Sequence, residues 1–255
     1  MHPHAAAAHP SHTEHNLMPS FRTPLVIAHR GASAAARENT LAAFALAAEA
    51  GADWVELDTH LATDGQVVVF HNDHYDDGRA VHEVASSDRP DDVPLLGEVL
   101  KLCSDAGLGV NVEIKALPGE ADAATSTALA EAVMEVLADH ANNGGQVRDG
   151  QLLITSFRPA SINQVRRNGG FPTGLLTVAV DKPAELLNQT ANEGHTAINP
   201  WDHVVTPELI SASHDAGLRV NVWTVNDEAR MGELAAWGVD GIITDRPDVA
   251  RHTLT

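Results

Sequence analysis

The chain has 255 residues, 44% of them apolar, and a formal net charge of −19 from 35 acidic and 16 basic side chains. That length suits one large domain or two small ones, and in particular an α/β barrel. The acidic excess argues against gripping a nucleic-acid backbone or an anionic membrane through bulk charge. A single cysteine, Cys103, excludes an intrachain disulfide and a Cys-based metal site.

Residues 1–22 scatter His2, His4, His9, His12 and His15 among Ala, Pro and Ser at irregular spacing. No strand or helix pattern frames them, so they are read as a disordered His-rich tail ahead of a single domain over 23–255. The tail has neither a basic start nor an apolar h-region, and no apolar run approaches the roughly 20 residues that span a bilayer. A cytoplasmic location without stable membrane association is therefore expected.

From Thr23 onward, short β-branched runs alternate with Ala/Leu-rich amphipathic ones. Strands are predicted at "LVIAH" (25–29), "WVELD" (54–58), "VVVFH" (67–71), "GVNVEIK" (109–115) and "QLLITSF" (151–157). They continue at "TGLLTV" (173–178), "HTAIN" (195–199), "RVNVWTV" (219–225) and "DGIITD" (240–245). Helices are predicted at 40–51, 95–107 and 121–141, with four more between the later strands. Gly51, Gly107, Gly217 and Gly238 stand where helices should stop. Alternation of this kind implies a parallel sheet with helical crossovers.

Nine strands is one too many for an eightfold barrel. Only "THLATDGQ" separates Asp58 from Val67, too short for a helical crossover, and Asp64-Gly65 is a hairpin signal. The segment 66–71 is thus an antiparallel return of the second strand, with His71 roughly opposite Glu56. Removing it leaves a (β/α)8 TIM barrel with an added short hairpin strand. The alternative is a barrel in which 67–71 is a true third strand and the last candidate is peripheral. The polar, Asp/Pro-rich stretch 72–94 is expected to be a solvated loop at the rim, Asp73, Tyr75 and Arg79 included.

Parallel barrels carry their chemistry at the C-terminal ends of the strands. There the first strand offers His29 and Arg30, the second Glu56 and Asp58, and its hairpin return His71. The fourth offers Glu113 and Lys115; Trp223, Asn226 and Asp245 come later. A strand alternates faces with period two, so Glu56 and Asp58 share one face while Val55 and Leu57 take the other. Two carboxylates on one face repel each other unless a cation lies between them. Hard oxygen ligands from Glu56, Asp58 and Glu113 suit Mg²⁺ or Ca²⁺. Arg30 and Lys115 can bind phosphate oxygens, and two histidines can serve as acid and base near neutral pH. His60, His74, His82, His140, His195, His203, His214 and His252 are read as structural or solvated.

The ordered set "AHRGA…ENTLAAF", "GADWVELDTHLATDGQVVVFHN", "VNVEIK", "ITSF", "VNVWTVN" and "GVDGIITDRPD" resembles the glycerophosphodiester phosphodiesterase family over about Val26 to Asp248. The resemblance implies a phosphatidylinositol-phospholipase-C-like barrel and metal-dependent release of an alcohol and sn-glycerol 3-phosphate. By matching motif it makes His29 and His71 the acid/base pair, and Glu56, Asp58 and Glu113 the metal ligands. Arg30 and Lys115 become phosphate contacts, Trp223 a residue beside the glycerol or the leaving group, and Glu38 a supporting acid. Attack by the substrate's own glycerol 2-hydroxyl and direct attack by water both stay open. Departures from the family are Arg37 where Pro is usual before "ENT", and Asn72 with "HNDHYDDGRAVHEV" after the second histidine. They leave the phosphate chemistry in place and bear on substrate choice. A lysophospholipase-D-like activity and a non-catalytic phosphate-binding barrel are the other readings.

Overall fold

Each of the nine apolar runs forms a strand in the structure, a computed structural model that describes residues 23–115, 122–145 and 150–255. The His-rich stretch 1–22, expected to be disordered, lies outside the described residues. The strands are β1 (Leu25–His29), β2 (Trp54–Leu61), β3 (Val67–Val69), β4 (Gly109–Ile114) and β5 (Leu152–Ser156). β6 (Thr173–Thr177), β7 (Ala197–Pro200), β8 (Arg219–Val222) and β9 (Gly241–Thr244) complete them. Helices are α1 (Leu41–Glu49), α2 (Leu96–Ala106), α3 (Asp122–Asn142), α4 (Pro159–Asn168) and α5 (Pro183–Asn192). α6 (Pro207–Asp215), α7 (Glu228–Trp237) and α8 (Pro247–Leu254) follow. The last of these, after β9, was not among the helices predicted.

Hydrogen bonding runs β1-β9-β8-β7-β6-β5-β4-β2, and β1 also pairs with β2, so eight parallel strands close a barrel. β3 is antiparallel and sits outside that ring. The reading with 67–71 as a true barrel strand is therefore set aside. β2 is longer than its neighbours: Trp54–Glu56 bond β1, while Thr59–Leu61 bond β3. The register pairs Thr59 with Val69, which centres the hairpin on Asp64 as expected. Continued, it would set His71 across from Leu57, not Glu56. The ladder stops at Val69 in any case, and His71 lies on the turn beyond it.

Alternation assigns the faces. Val55 and Leu57, with Val110 and Val112 beside them, join the large apolar core between sheet and helices. Inside the barrel, Ile27, Trp54, Leu153, Ala197 and Ile243 form a separate apolar plug below the polar mouth. Gly109 makes room for that plug, because a Cβ there would lie 2.5 Å from the Trp54 indole. Helices begin on side-chain caps: Thr40 accepts from Ala43 N–H, Thr206 from Leu209 N–H and Asp227 from Arg230 N–H. All four predicted stop glycines take positive φ.

The stretch 72–94 is more than the solvated loop expected. Phe70, Tyr75, Val81, Val84 and Val93 are buried together with Ala62 and Val68 in a small second core over the hairpin. The Phe70 and Tyr75 rings meet at 5.1 Å, tilted by 57°, and Tyr75 is buried in this core instead of being solvated. Arg37, the residue in place of proline, pairs with Asp76 at 2.7 Å and Asp92 at 2.8 Å. It thereby ties the segment before α1 to this insert.

Candidate active site

The turn after β1 builds the first side of the site. Gly31 has φ 83°, and a Cβ there would lie 2.6 Å from the Ala43 backbone, so only glycine brings the turn this close to α1. Arg30 before it takes φ 55° and Asn39 takes φ 56°, both in the left-handed region that costs a non-glycine residue energy. The turn is held by its own bonds. Arg30 N–H donates to the Glu56 carbonyl at 2.9 Å and to Glu56 Oε2 at 3.1 Å, and Asn39 N–H donates to the Arg30 carbonyl at 3.0 Å. Asn39 Nδ2 then donates to Asp58 Oδ2 at 2.7 Å.

Glu56, Asp58 and Glu113 come together on the inner face of β2 and β4, where Asp58 and Glu113 are register partners. All three are buried, and one oxygen from each lies within 4.8 Å of the others. Two cations reach them: Lys115 Nζ is 2.7 Å from Asp58 Oδ1 and 3.1 Å from Glu113 Oε1, and Arg30 Nε is 3.1 Å from Asp58 Oδ2. Three buried carboxyls thus share two cations, one of which, Arg30, also pairs with Glu38. Burial, with Asp58 and Glu113 alongside, pushes the Glu56 carboxyl well above the usual range. Burial and Asp58 likewise push Glu113 up to about 7. Burial would raise Asp58 too, but Lys115 and Arg30 outweigh it and hold Asp58 below the ordinary carboxylate value. The all-oxygen donor set, the spacing and the crowding of acids fit a hard divalent cation.

The imidazoles approach from two other directions. His29, at the end of β1, places Nδ1 2.6 Å from Asp245 Oδ1. Asp245 also accepts from Asn226 Nδ2 at 2.6 Å and from Ser33 Oγ at 3.0 Å. Burial opposes its ionisation, yet the bonds from His29 and Asn226 hold its carboxyl down at about 2. An ionised Asp245 fixes the proton on His29 Nδ1 and turns Nε2 inward, 4.0 Å from Glu56 Oε2. His71 donates from Nδ1 to Asn72 Oδ1 at 2.9 Å, and its carbonyl accepts from His60 Nε2 at 3.2 Å. Burial lowers the His71 pKa, with Asp58 pulling the other way.

A cavity of about 230 Å³ collects these groups: His29, His71, Arg30, Glu56, Glu113 and Lys115 line its polar side. Trp223, Phe157, Leu176 and Ile243 line the other. Trp223 is anchored by donating from Nε1 to the Asn199 carbonyl at 2.7 Å, and it meets Phe157 edge-on at 5.6 Å. Asp58 lies buried behind the polar side. Glu38 stays outside the cavity, accepting from Arg30 Nη1 at 2.9 Å. Every site residue predicted from the sequence is thus in this neighbourhood, Glu38 only through Arg30.

Residues without an assigned role in the sequence also matter here. Asp245 and Asn226 were visible as strand-end polar groups, but their contact with His29 was not. Asn39 adjoins Glu38 in the same motif. His60, read as structural, braces the His71 backbone. Asn111 lines the cavity, and its position two residues before Glu113 on the same strand face was the available signal. Phe157 carried no polar signal. A wider groove of about 650 Å³ lies on the flank between α2 and α3 and holds none of this chemistry.

Fold and mouth together define a barrel enzyme equipped to act on a phosphate ester. Comparison with known proteins makes the class specific. The sequence model of the Glycerophosphoryl diester phosphodiesterase family matches residues 29–249. A glycerophosphodiester phosphodiesterase of Caldanaerobacter subterraneus subsp. tengcongensis is 30% identical over 247 residues, covering 88% of this chain and 95% of that protein. Among solved structures, an Oleispira antarctica phosphodiesterase in complex with the product sn-glycerol-3-phosphate is 25% identical with a TM-score of 0.81. That match covers 91% of this chain and 96% of the other. The glycerophosphodiester phosphodiesterase of Thermotoga maritima, at 25% identity and a TM-score of 0.74, covers 91% and 98% respectively. The chain belongs to the glycerophosphoryl diester phosphodiesterase family and is a phosphoric diester hydrolase.

Proposed function

We propose that the protein hydrolyses small glycerophosphodiesters to an alcohol and sn-glycerol 3-phosphate. In this reading Glu56, Asp58 and Glu113 hold Mg²⁺ or Ca²⁺, and His29 and His71 move the protons. The carrying observation is the buried triad of crowded carboxyls, flanked by two imidazoles in one cavity. A bound dication would supply charge neutralisation at the phosphoryl oxygens. Arg30 and Lys115 then bind the remaining phosphate oxygens, the one as a planar fork and the other as a point charge. His71, kept neutral by burial, takes the proton of the attacking oxygen, that of water in direct hydrolysis or of the glycerol 2-hydroxyl where water then opens the cyclic phosphate. His29, turned inward by Asp245, delivers one to the leaving alcohol oxygen. Trp223 and Phe157 wall the side of the cavity opposite the charges.

A second reading is lysophospholipase-D-like action, and one observation favours it. Phe157, Val178 and Trp201, which follow β5, β6 and β7, are 42%, 54% and 39% exposed. Phe157 lines the cavity, and Val178 and Trp201 stand after neighbouring strands at the same end of the barrel, apolar surface on which an acyl chain could lie. Among the described residues no helix is long and apolar enough to cross a membrane. A coupled glycerol 3-phosphate assay over glycerophosphocholine, glycerophosphoethanolamine and lysophosphatidylcholine, with Mg²⁺ or Ca²⁺, separates the readings. Turnover of the first two, lost in folded His29→Ala and His71→Ala, is expected. Ligand binding without turnover would instead favour a non-catalytic barrel.

A further inference from the structure

The Asn111 side chain is 1% exposed, and it lines the cavity from the row of Glu56, its register partner on β2. Its Oδ1 is engaged, accepting from Thr155 Oγ1 at 3.0 Å, and Thr155 does not line the cavity. Its Nδ2 has no partner among the described residues. A buried amide N–H without an acceptor is costly and rare in folded proteins, so its acceptor is to be sought in what the cavity takes in. Asn199 Nδ2 also lacks a partner among the described residues, but Asn199 does not line the cavity.

In the structure the amide oxygen is the end that meets Thr155. With the oxygen drawn toward β5, the N–H₂ is the end left to the ligand. Its row lies on the charged side, next to Glu56 and one layer below Glu113 on the same strand face. We infer that Asn111 is a substrate-binding residue that donates from Nδ2 to an oxygen of the phosphoglyceryl half of the substrate, the half retained in the product. This rests on the proposed phosphodiesterase reading and adds a contact to it. Because every glycerophosphodiester shares that half, the contact contributes to affinity and does not sort leaving alcohols.

Calorimetric binding of sn-glycerol 3-phosphate to the Mg²⁺-supplied full chain tests this without requiring turnover. Asn111→Ala should weaken binding roughly 10- to 100-fold, the worth of one hydrogen bond to a charged acceptor. It should raise KM by the same factor for glycerophosphocholine and glycerophosphoethanolamine, and leave the Mg²⁺-induced rise in Tm unchanged. Thr155→Val, which frees the amide to turn, should give a smaller loss, and it carries the comparison if Asn111→Ala does not fold. Unchanged product affinity in both variants, or a loss of Mg²⁺ affinity alone, overturns the inference and leaves the function standing. Wild-type protein that neither binds the product nor turns over substrate overturns both.

Discussion

Asp245 shows how one side chain sets the chemistry of another. It accepts from His29 Nδ1 across 216 residues of sequence, a contact made by the closing of β1 onto β9. Asp245→Asn removes the carboxylate that balances the charge His29 carries as the acid, so kcat should fall roughly 10²- to 10⁴-fold while the Mg²⁺-induced Tm shift is kept. Rate and melting curves on the same samples check this. His71 yields a pH prediction. Burial lowers its pKa from the ordinary 6.5. A base must be neutral to accept, so the acid limb of kcat/KM should lie below pH 6.5. A limb at or above that value would count against His71 as the base. The pairs Glu56/Asp58 and Glu113/Lys115 were legible because period two puts each on one face. Asn39 was not, since its reach to Asp58 depends on a left-handed φ that the letters "ENT" do not announce.

At the scale of elements, β2 and its hairpin organise the mouth. One long strand serves β1 below and β3 above along the same edge, which lets a turn residue, His71, stand beside carboxylates on the strand itself. The short connection and Asp64-Gly65 made the hairpin readable. The packing of the insert was not readable, because Tyr75, Val81, Val84 and Val93 follow neither a helical nor a strand period. Their burial arises only where the insert meets Phe70 and Val68. Tyr75→Ala should remove about 3 kcal/mol of packing from this small core. The loss should be local: amides in 72–94 should exchange roughly a hundredfold faster, with those of β4 and β5 unaltered. Hydrogen exchange read by mass spectrometry measures both regions at once.

Over the whole molecule, the barrel brings acids from β2 and β4 into one dry place inside a chain already at −19. Eight strands and the mouth position of the chemistry followed from the alternation of runs. The extent of burial, which turns neighbouring acids into a strained cluster, needed the closed ring. With raised pKa values, Glu56 and Glu113 bind more protons in the folded, cation-free protein than in the unfolded chain. Their contribution to stability is therefore full below the unfolded carboxylate range and is lost as pH rises through about 7 for Glu113. A cation that displaces those protons offsets the loss, so the Tm gained from Mg²⁺ should be larger at pH 8 than at pH 5. Equal gains at both would show that the ion binds elsewhere. The most direct test of the central claim is the initial rate of sn-glycerol 3-phosphate release from glycerophosphocholine in Mg²⁺, in excess EDTA, and after Mg²⁺ is restored. A cation held by Glu56, Asp58 and Glu113 predicts a reversible fall of roughly 10³-fold in EDTA; an undiminished rate with chelator present would contradict it.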